Sequence, residues 1–300
     1  MEKVLITGAG GFLGQAVIKQ LARKKQYDIT AVISGRHRVD FPVDIHIKTA
    51  NLLEEAERSK LIEEVHPQIL LHLAWDQSHA DFRETASNMR WLEASTSLLR
   101  YFVEQGGRRF LFAGTSSEYS SISGKAQETV RKLQMSMYGE CKRAFSSIMA
   151  NYCTRTGTQY IDARYFTIYG ENDPHHFAAI PQAISDFLRD KPVVCKAPNT
   201  VRDYIYVEDA ARATVMLLES DYCGIVNIGS GQPRMMRDVF SLIAKTLGKE
   251  HLLSFENEDT CERILVADTD ILRNKLGFQL ESRFEENMIT VINWWKTQTR

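Results

Sequence analysis

The chain has 300 residues, with 37 Lys and Arg set against 38 Asp and Glu for a net charge of −1. That balance excludes a protein drawn by its overall charge to nucleic acid or to an anionic membrane. With 44% hydrophobic residues the composition is globular, and the length supports a sizeable core rather than a short peptide-binding module.

Strand-like and helix-like stretches alternate from the start. Val4 to Ile6 is a short β-rich run, followed by a glycine loop and a helical pattern through Val17, Ile18 and Leu21 to Lys24. Ile29 to Ile33 and Val43 to Ile47 read as the second and third strands, and Leu52 to Val65 as a helix stopped at His66-Pro67. A strand from Ile69 to Leu73, a helix from about Thr85 to Glu104 closed by Gly106-Gly107, and a strand from Phe110 to Ala113 follow. A helix from about Met137 to Arg155 then leads to a strand from Tyr160 to Tyr165. Helix-sized connections between strands imply a parallel sheet covered on both faces, a doubly wound α/β fold. Beyond Tyr169, where five of the seven prolines fall, the rhythm becomes irregular. The expectation is a domain over 1–168 and a smaller C-terminal lobe over 169–300, some of whose segments exchange with the sheet. No run approaches the ~18 apolar residues of a membrane span. The five cysteines are odd in number and lack a C-x-x-C pair, so they read as reduced thiols, and the protein as cytoplasmic.

The run Thr7 to Gly14 follows the first strand and opens the first helix. Gly8, Gly11 and Gly14 permit a tight turn, a close approach of backbone to a pyrophosphate, and close helix packing, the pattern of a Rossmann-type dinucleotide site. With Gly10, Phe12 and Leu13 they bring a helix N-terminus to the phosphates. The second strand runs into Ser34 and Arg36 with no carboxylate before Asp40. A hydroxyl followed by guanidinium suits a 2′-phosphate, so NADP(H) is favoured over NAD(H). Tyr138 and Lys142 stand four apart within a predicted helix, hence on one face. An ammonium there lowers the phenol's pKa, making Tyr138 an acid-base group for a sugar hydroxyl or carbonyl. Thr115, Ser116 and Ser117 end a buried strand where ligands bind in open α/β sheets. His175-His176 lacks a third ligand at recognisable spacing, so no metal is expected.

These residues resemble the extended short-chain dehydrogenases/reductases of the NAD-dependent epimerase/dehydratase type, over nearly the whole chain. The resemblance implies a catalytic triad of Thr115, Tyr138 and Lys142, with Lys142 also holding the nicotinamide ribose. It implies cofactor contacts at Leu73, Ala74 and Trp75, with Asn88 on the next helix, and a substrate-lobe segment Val201 to Asp209 whose Arg202 holds the diphosphate of a nucleotide sugar. Arg263 is a candidate second diphosphate clamp because guanidinium matches phosphate oxygens in fork geometry. Three departures stand out. Ser116 and Ser117 replace the acid and base of the sugar 4,6-dehydratases, with Glu118 one residue late. Asn51, beside Leu52, replaces an adenine-contacting aspartate. Thr167 replaces an asparagine that touches substrate.

The expected function is hydride transfer at C4 of a nucleoside-diphosphate sugar. The leading reading is an NADPH-dependent 4-keto sugar reductase, the alternative a 4-epimerase with tightly held NAD, and the third a non-catalytic NADPH sensor. Apolar residues beyond one core face on the two long helices (Trp91, Leu92, Leu98, Leu99, Phe102 and Val103), with the resemblance, imply a homodimer.

Overall fold

The computed structural model describes residues 1–35, 39, 41, 45–119, 124–130, 136–256 and 263–298. Along the chain, β1 (Glu2–Thr7), α1 (Phe12–Lys24), β2 (Tyr27–Ile33), β3 (His46–Thr49), α2 (Glu55–Val65), β4 (Ile69–His72), α3 (Ser87–Glu104) and β5 (Arg109–Thr115) alternate. A 3-10 turn at Ser116–Tyr119 precedes β6 (Gly124–Ala126), α4 (Met137–Thr156), β7 (Gln159–Tyr165) and β8 (Thr167–Tyr169). Next come α5 (Ala179–Leu188), β9 (Val193–Cys195), β10 (Val201–Tyr206), α6 (Val207–Glu219) and β11 (Gly224–Ile228). The chain continues through β12 (Pro233–Met235), α7 (Met236–Leu247), β13 (Leu253–Phe255), β14 (Ile264–Ala267) and α8 (Phe284–Gln298).

Seven strands form the main sheet in the order β11-β7-β5-β4-β1-β2-β3, and the pairings from β7 through to β3 are parallel. This is the doubly wound α/β architecture that the alternation predicts. Its central strands are continuous apolar runs because helices cover both faces: Val4 to Ile6, Ile69 to Leu71 and Phe110 to Phe112 are all buried. Leu98, Leu99 and Phe102 of α3 and Phe145, Met149 and Cys153 of α4 pack into one cluster with Phe110 and Phe112. Each such side chain stabilises the fold by roughly 1.5–3 kcal/mol. Val43, at the start of the predicted third strand, lies outside the described residues, and β3 runs from His46 to Thr49.

The chain forms two compact units. The first comprises Met1–Glu118, Gln134–Tyr165 and Ala211–Val226. The second comprises Tyr119–Leu133, Phe166–Ala210 and Asn227–Arg300. The chain changes unit at Tyr165/Phe166, and Tyr119–Leu133 belongs to the second unit while Ala211–Val226 belongs to the first. Within the second unit, β12, β10, β14 and β6 form a sheet, with β8 paired to β10. Ile184, Phe187, Phe240, Ile243, Met288 and Trp295 form its core. The buried Asp203 carboxylate accepts from the Ser230 N–H and hydroxyl, the Gly231 N–H and the Ala267 N–H. Among the described residues no helix is long and apolar enough to cross a membrane.

Candidate active site

The glycine loop is shaped by what it must avoid. Gly8 has φ +68°, and a Cβ there would stand 2.6 Å from the Ala74 nitrogen. A Cβ on Gly14 would stand 2.2 Å from the Gly8 carbonyl oxygen. Gly10 is close too, its Cβ position lying 3.0 Å from Val39 Cγ2. The N-cap of α1 is Gly11, which offers no side-chain cap to the N–H groups of the first turn. The Leu73 N–H donates to the Thr7 carbonyl at 3.2 Å and the Ala74 N–H to Thr7 Oγ1 at 3.4 Å. Thr7 Oγ1 also meets His72 Nδ1 at 2.8 Å, and His72 Nε2 meets Ser95 Oγ at 2.8 Å. Burial pushes His72 down to about 3, so a neutral ring braces the loop against α3.

Two predicted cofactor contacts sit differently from the rest. The Asn51 Oδ1 accepts from the Leu53 N–H at 3.2 Å, which commits the amide oxygen to the turn before α2. Leu52 is buried, and its carbonyl accepts from Arg58 Nη1 at 2.6 Å. Ser34 is exposed just beyond β2, whereas Arg36 lies outside the described residues.

The α4 helix starts at Ser136, whose hydroxyl accepts from the Gly139 N–H. One turn apart on its inner face, Tyr138 and Lys142 are 4% and 2% exposed. The Tyr138 hydroxyl accepts from Gln77 Nε2 at 2.7 Å and is hydrogen-bonded to Thr115. Its ring stands edge-on to Phe82 and Trp75. Lys142 Nζ donates to the Ala113 carbonyl at 2.8 Å and lies over the rings of Trp75, at 4.2 Å, and Phe112, at 4.5 Å. Trp75 is fixed by its N–H to Asn88 Oδ1 at 2.8 Å, and the Asn88 amide donates to the Phe82 and Thr85 carbonyls. The predicted triad therefore converges at the carboxyl end of β5.

The electrostatics correct one expectation. Burial pushes Tyr138 up to about 12, with Thr115, Arg83 and Gln77 opposing it, so the phenol is not lowered by its neighbour. Burial also pushes Lys142 down to about 7. Removing both groups from water outweighs the benefit of an ammonium one helical turn away.

Ser116 and Ser117 are half-buried in the 3-10 turn, where the Ser117 N–H donates to Thr115 Oγ1 at 3.1 Å. Glu118 turns inward: its side chain is 1% exposed, with Oε2 2.9 Å from Arg164 Nη2. A sealed, ion-paired carboxylate is no base for a sugar carbon, so Glu118 does not replace the missing dehydratase pair. Gln77, and the Asp162 and Arg164 that accompany Glu118, are the residues here that motif reading misses.

In the second unit, Arg202 is exposed on β10, opposite Arg234 of β12 and Leu265 of β14. Exposed Arg263 lies beside it, since its carbonyl accepts from the Val201 N–H. Thr167, also exposed, pairs with Tyr204. His175 Nδ1 is 2.8 Å from Asp173 Oδ1, and His176 stands edge-on to Trp295. No group of three potential metal ligands occurs among the described residues.

A glycine-cradled helix N-terminus and a Tyr-Lys-Thr cluster, all carried by one parallel sheet, define a Rossmann-type enzyme of the extended short-chain dehydrogenase/reductase class. Residues 4–229 match the model of the NAD dependent epimerase/dehydratase family, and the chain belongs to that family. It is 26% identical over 279 residues to an uncharacterized UDP-glucose epimerase of Bacillus subtilis, covering 85% of each chain. It is 24% identical to the UDP-glucuronate 4-epimerase of Thermodesulfobacterium geofontis, covering 99% of this chain and 97% of that one. The fold matches the UDP-glucose 4-epimerase of Thermotoga maritima with a TM-score of 0.87 at 23% identity, over 99% of this chain and 100% of that one.

Proposed function

We propose that this protein is an NAD-dependent nucleotide-sugar 4-epimerase. The observation that carries the proposal is a Tyr138 hydroxyl bonded to Thr115 and Gln77 in a site with serines, not carboxylates, at 116 and 117. Such a site can move a proton on and off one sugar oxygen but has no pair to eliminate water. The relatives named 4-epimerases support the same reading over a reductase.

The glycine cradle fits a dinucleotide, because Cβ atoms at Gly8 and Gly14 would collide with backbone. The first turn of α1 would hold the pyrophosphate, and Lys142 the nicotinamide ribose. Bound NAD supplies the acceptor and donor of hydride at C4. Tyr138 takes the proton of the 4-hydroxyl and returns it to the same oxygen, so no net proton is consumed. Thr115 orients that oxygen, and Arg202 and Arg263 grip the diphosphate. Ser34, just beyond β2 and without an acidic neighbour, favours a second reading, an NADPH-dependent 4-keto sugar reductase. The protein acts in the cytoplasm as a homodimer built on α3 and α4.

The test is to release and identify the cofactor of the purified protein, then supply UDP-glucose or UDP-glucuronate without added cofactor. Retained NAD and interconversion of 4-epimers are expected. An empty protein that only consumes NADPH with a 4-keto sugar would replace this reading with the reductase.

A further inference from the structure

We propose that Glu118 is a positioning residue for hydride transfer: with Asp162 it forms the buried negative charge that balances the Lys142 ammonium beneath the end of β5. The inference rests on the proposed chemistry of Tyr138 and Lys142, and extends it to a cluster that touches neither sugar nor cofactor.

The cluster is built from three elements. From the turn after β5, Glu118 Oε1 accepts from the Thr115 N–H at 3.4 Å, and Oε2 lies 2.9 Å from Arg164 Nη2. From β7, Arg164 Nε donates to Asp162 Oδ2 at 3.1 Å, and from α4 the Ser146 hydroxyl donates to the same oxygen at 2.6 Å. Gly114 makes the space, since a Cβ there would stand 2.2 Å from Asp162 Oδ1. That oxygen has no hydrogen-bond partner among the described residues.

When all four groups are ionised, two carboxylates offset the Arg164 guanidinium and the Lys142 ammonium. Among the described residues, Tyr138 on α4 and His72 on β4 also face Lys142, the latter held neutral by burial. Removing one carboxylate leaves a net positive charge out of water, and loss of the Lys142 proton is its relief. Burial and Asp162 push Glu118 up to about 8 against the pull of Arg164, so its charge is fully present only on the alkaline side, and there Glu118 and Asp162 hold Lys142 up against burial. Loss of the Lys142 charge removes a cation 5.6 Å from the centroid of the Tyr138 ring, against which negative charge developing on that phenol during proton transfer would be stabilised.

E118Q keeps the shape and removes the charge. In protein labelled with 13Cε-lysine, the Lys142 resonance should titrate at a pH about one unit lower in E118Q than in wild type. The kcat for epimer interconversion should fall about tenfold on the alkaline side, with KM little changed and with recovery in E118D. Should E118Q not fold, D162N removes the other carboxylate and should move the resonance the same way. An unchanged Lys142 titration overturns the proposal. Failure of the epimerase reading shows separately, as a wild-type protein that interconverts nothing while its lysine resonance still decides the role of Glu118.

Discussion

Replacing Tyr138 by Phe removes one oxygen and leaves the edge-on contacts with Phe82 and Trp75 in place. The structural cost is modest, because half-buried Gln77 loses one acceptor and Thr115 its bond to the phenol; each lost hydrogen bond of this kind costs about 0.5–1.5 kcal/mol. Water can reach Gln77 and offset part of it. The chemical cost is larger, since a positioned acid-base group contributes about 10²–10⁴-fold, equivalent to about 2.7–5.5 kcal/mol of barrier. The two effects therefore separate cleanly. Initial rates of 4-epimer interconversion should fall by at least about a hundredfold while Tm drops by only a few degrees and bound NAD is retained. Activity within about fivefold of wild type would refute an acid-base role for this hydroxyl. A rate loss matched by loss of cofactor and of most of the protein's stability would instead assign Tyr138 to the core that surrounds it.

Gly8→Ala forces a side chain onto φ +68° with its Cβ 2.6 Å from the Ala74 nitrogen; the left-handed conformation alone costs about 1–2 kcal/mol. The variant should lose Tm and bound NAD together, and retention of both by calorimetry and cofactor release would show that the cradle is not the dinucleotide site. His72 is held at about 3 against a usual 6.5, so between these values the unfolded chain binds a proton that the folded chain refuses. Its contribution is complete above pH 6.5 and is lost as pH falls towards 3. H72N should flatten the rise of Tm across that window, and an unchanged slope refutes the assignment. On α3 and α4, Met89 and Ile148 are 54% and 41% exposed, and a groove of about 540 Å³ runs along α3 from Met89 to Arg100. Wild type should elute as a dimer and the M89D/I148D variant as a monomer; a monomeric wild type at micromolar concentration removes the interface.

The readable parts of this protein are those whose signal lies within a few residues. The apolar runs at Val4, Ile69 and Phe110 announce strands buried on both faces, and the glycines at 8 and 14 declare a backbone that no side chain can enter. Tyr138 and Lys142 are legible as one helical turn. Spacing reports proximity but not dielectric, however, so the phenol's burial could outweigh the amine beside it without leaving a trace in the sequence. Gln77 bonds Tyr138 across 61 positions, a separation that only the fold closes. The predicted second helix begins at Glu55 rather than Leu52 because Asn51 spends its side-chain oxygen on the Leu53 N–H.

Glu118 shows the limit most sharply, because its motif was read and its direction was not. Counted along a strand, it alternates with Ser117 and falls one place late for sugar chemistry. In a 3-10 turn, residues i and i+3 eclipse one another, and the turn from Ser116 to Tyr119 brings Glu118 back beneath Thr115 instead of forward to the substrate. Only Gly114, followed by a carboxylate-bearing strand at Asp162, leaves room for that geometry. The same carboxylate that fails as an eliminating base is thereby placed among Asp162, Arg164 and Lys142. There its side chain is turned to the buried Arg164 guanidinium and away from any sugar carbon, because one 3-10 turn follows β5 where a continued strand would have alternated.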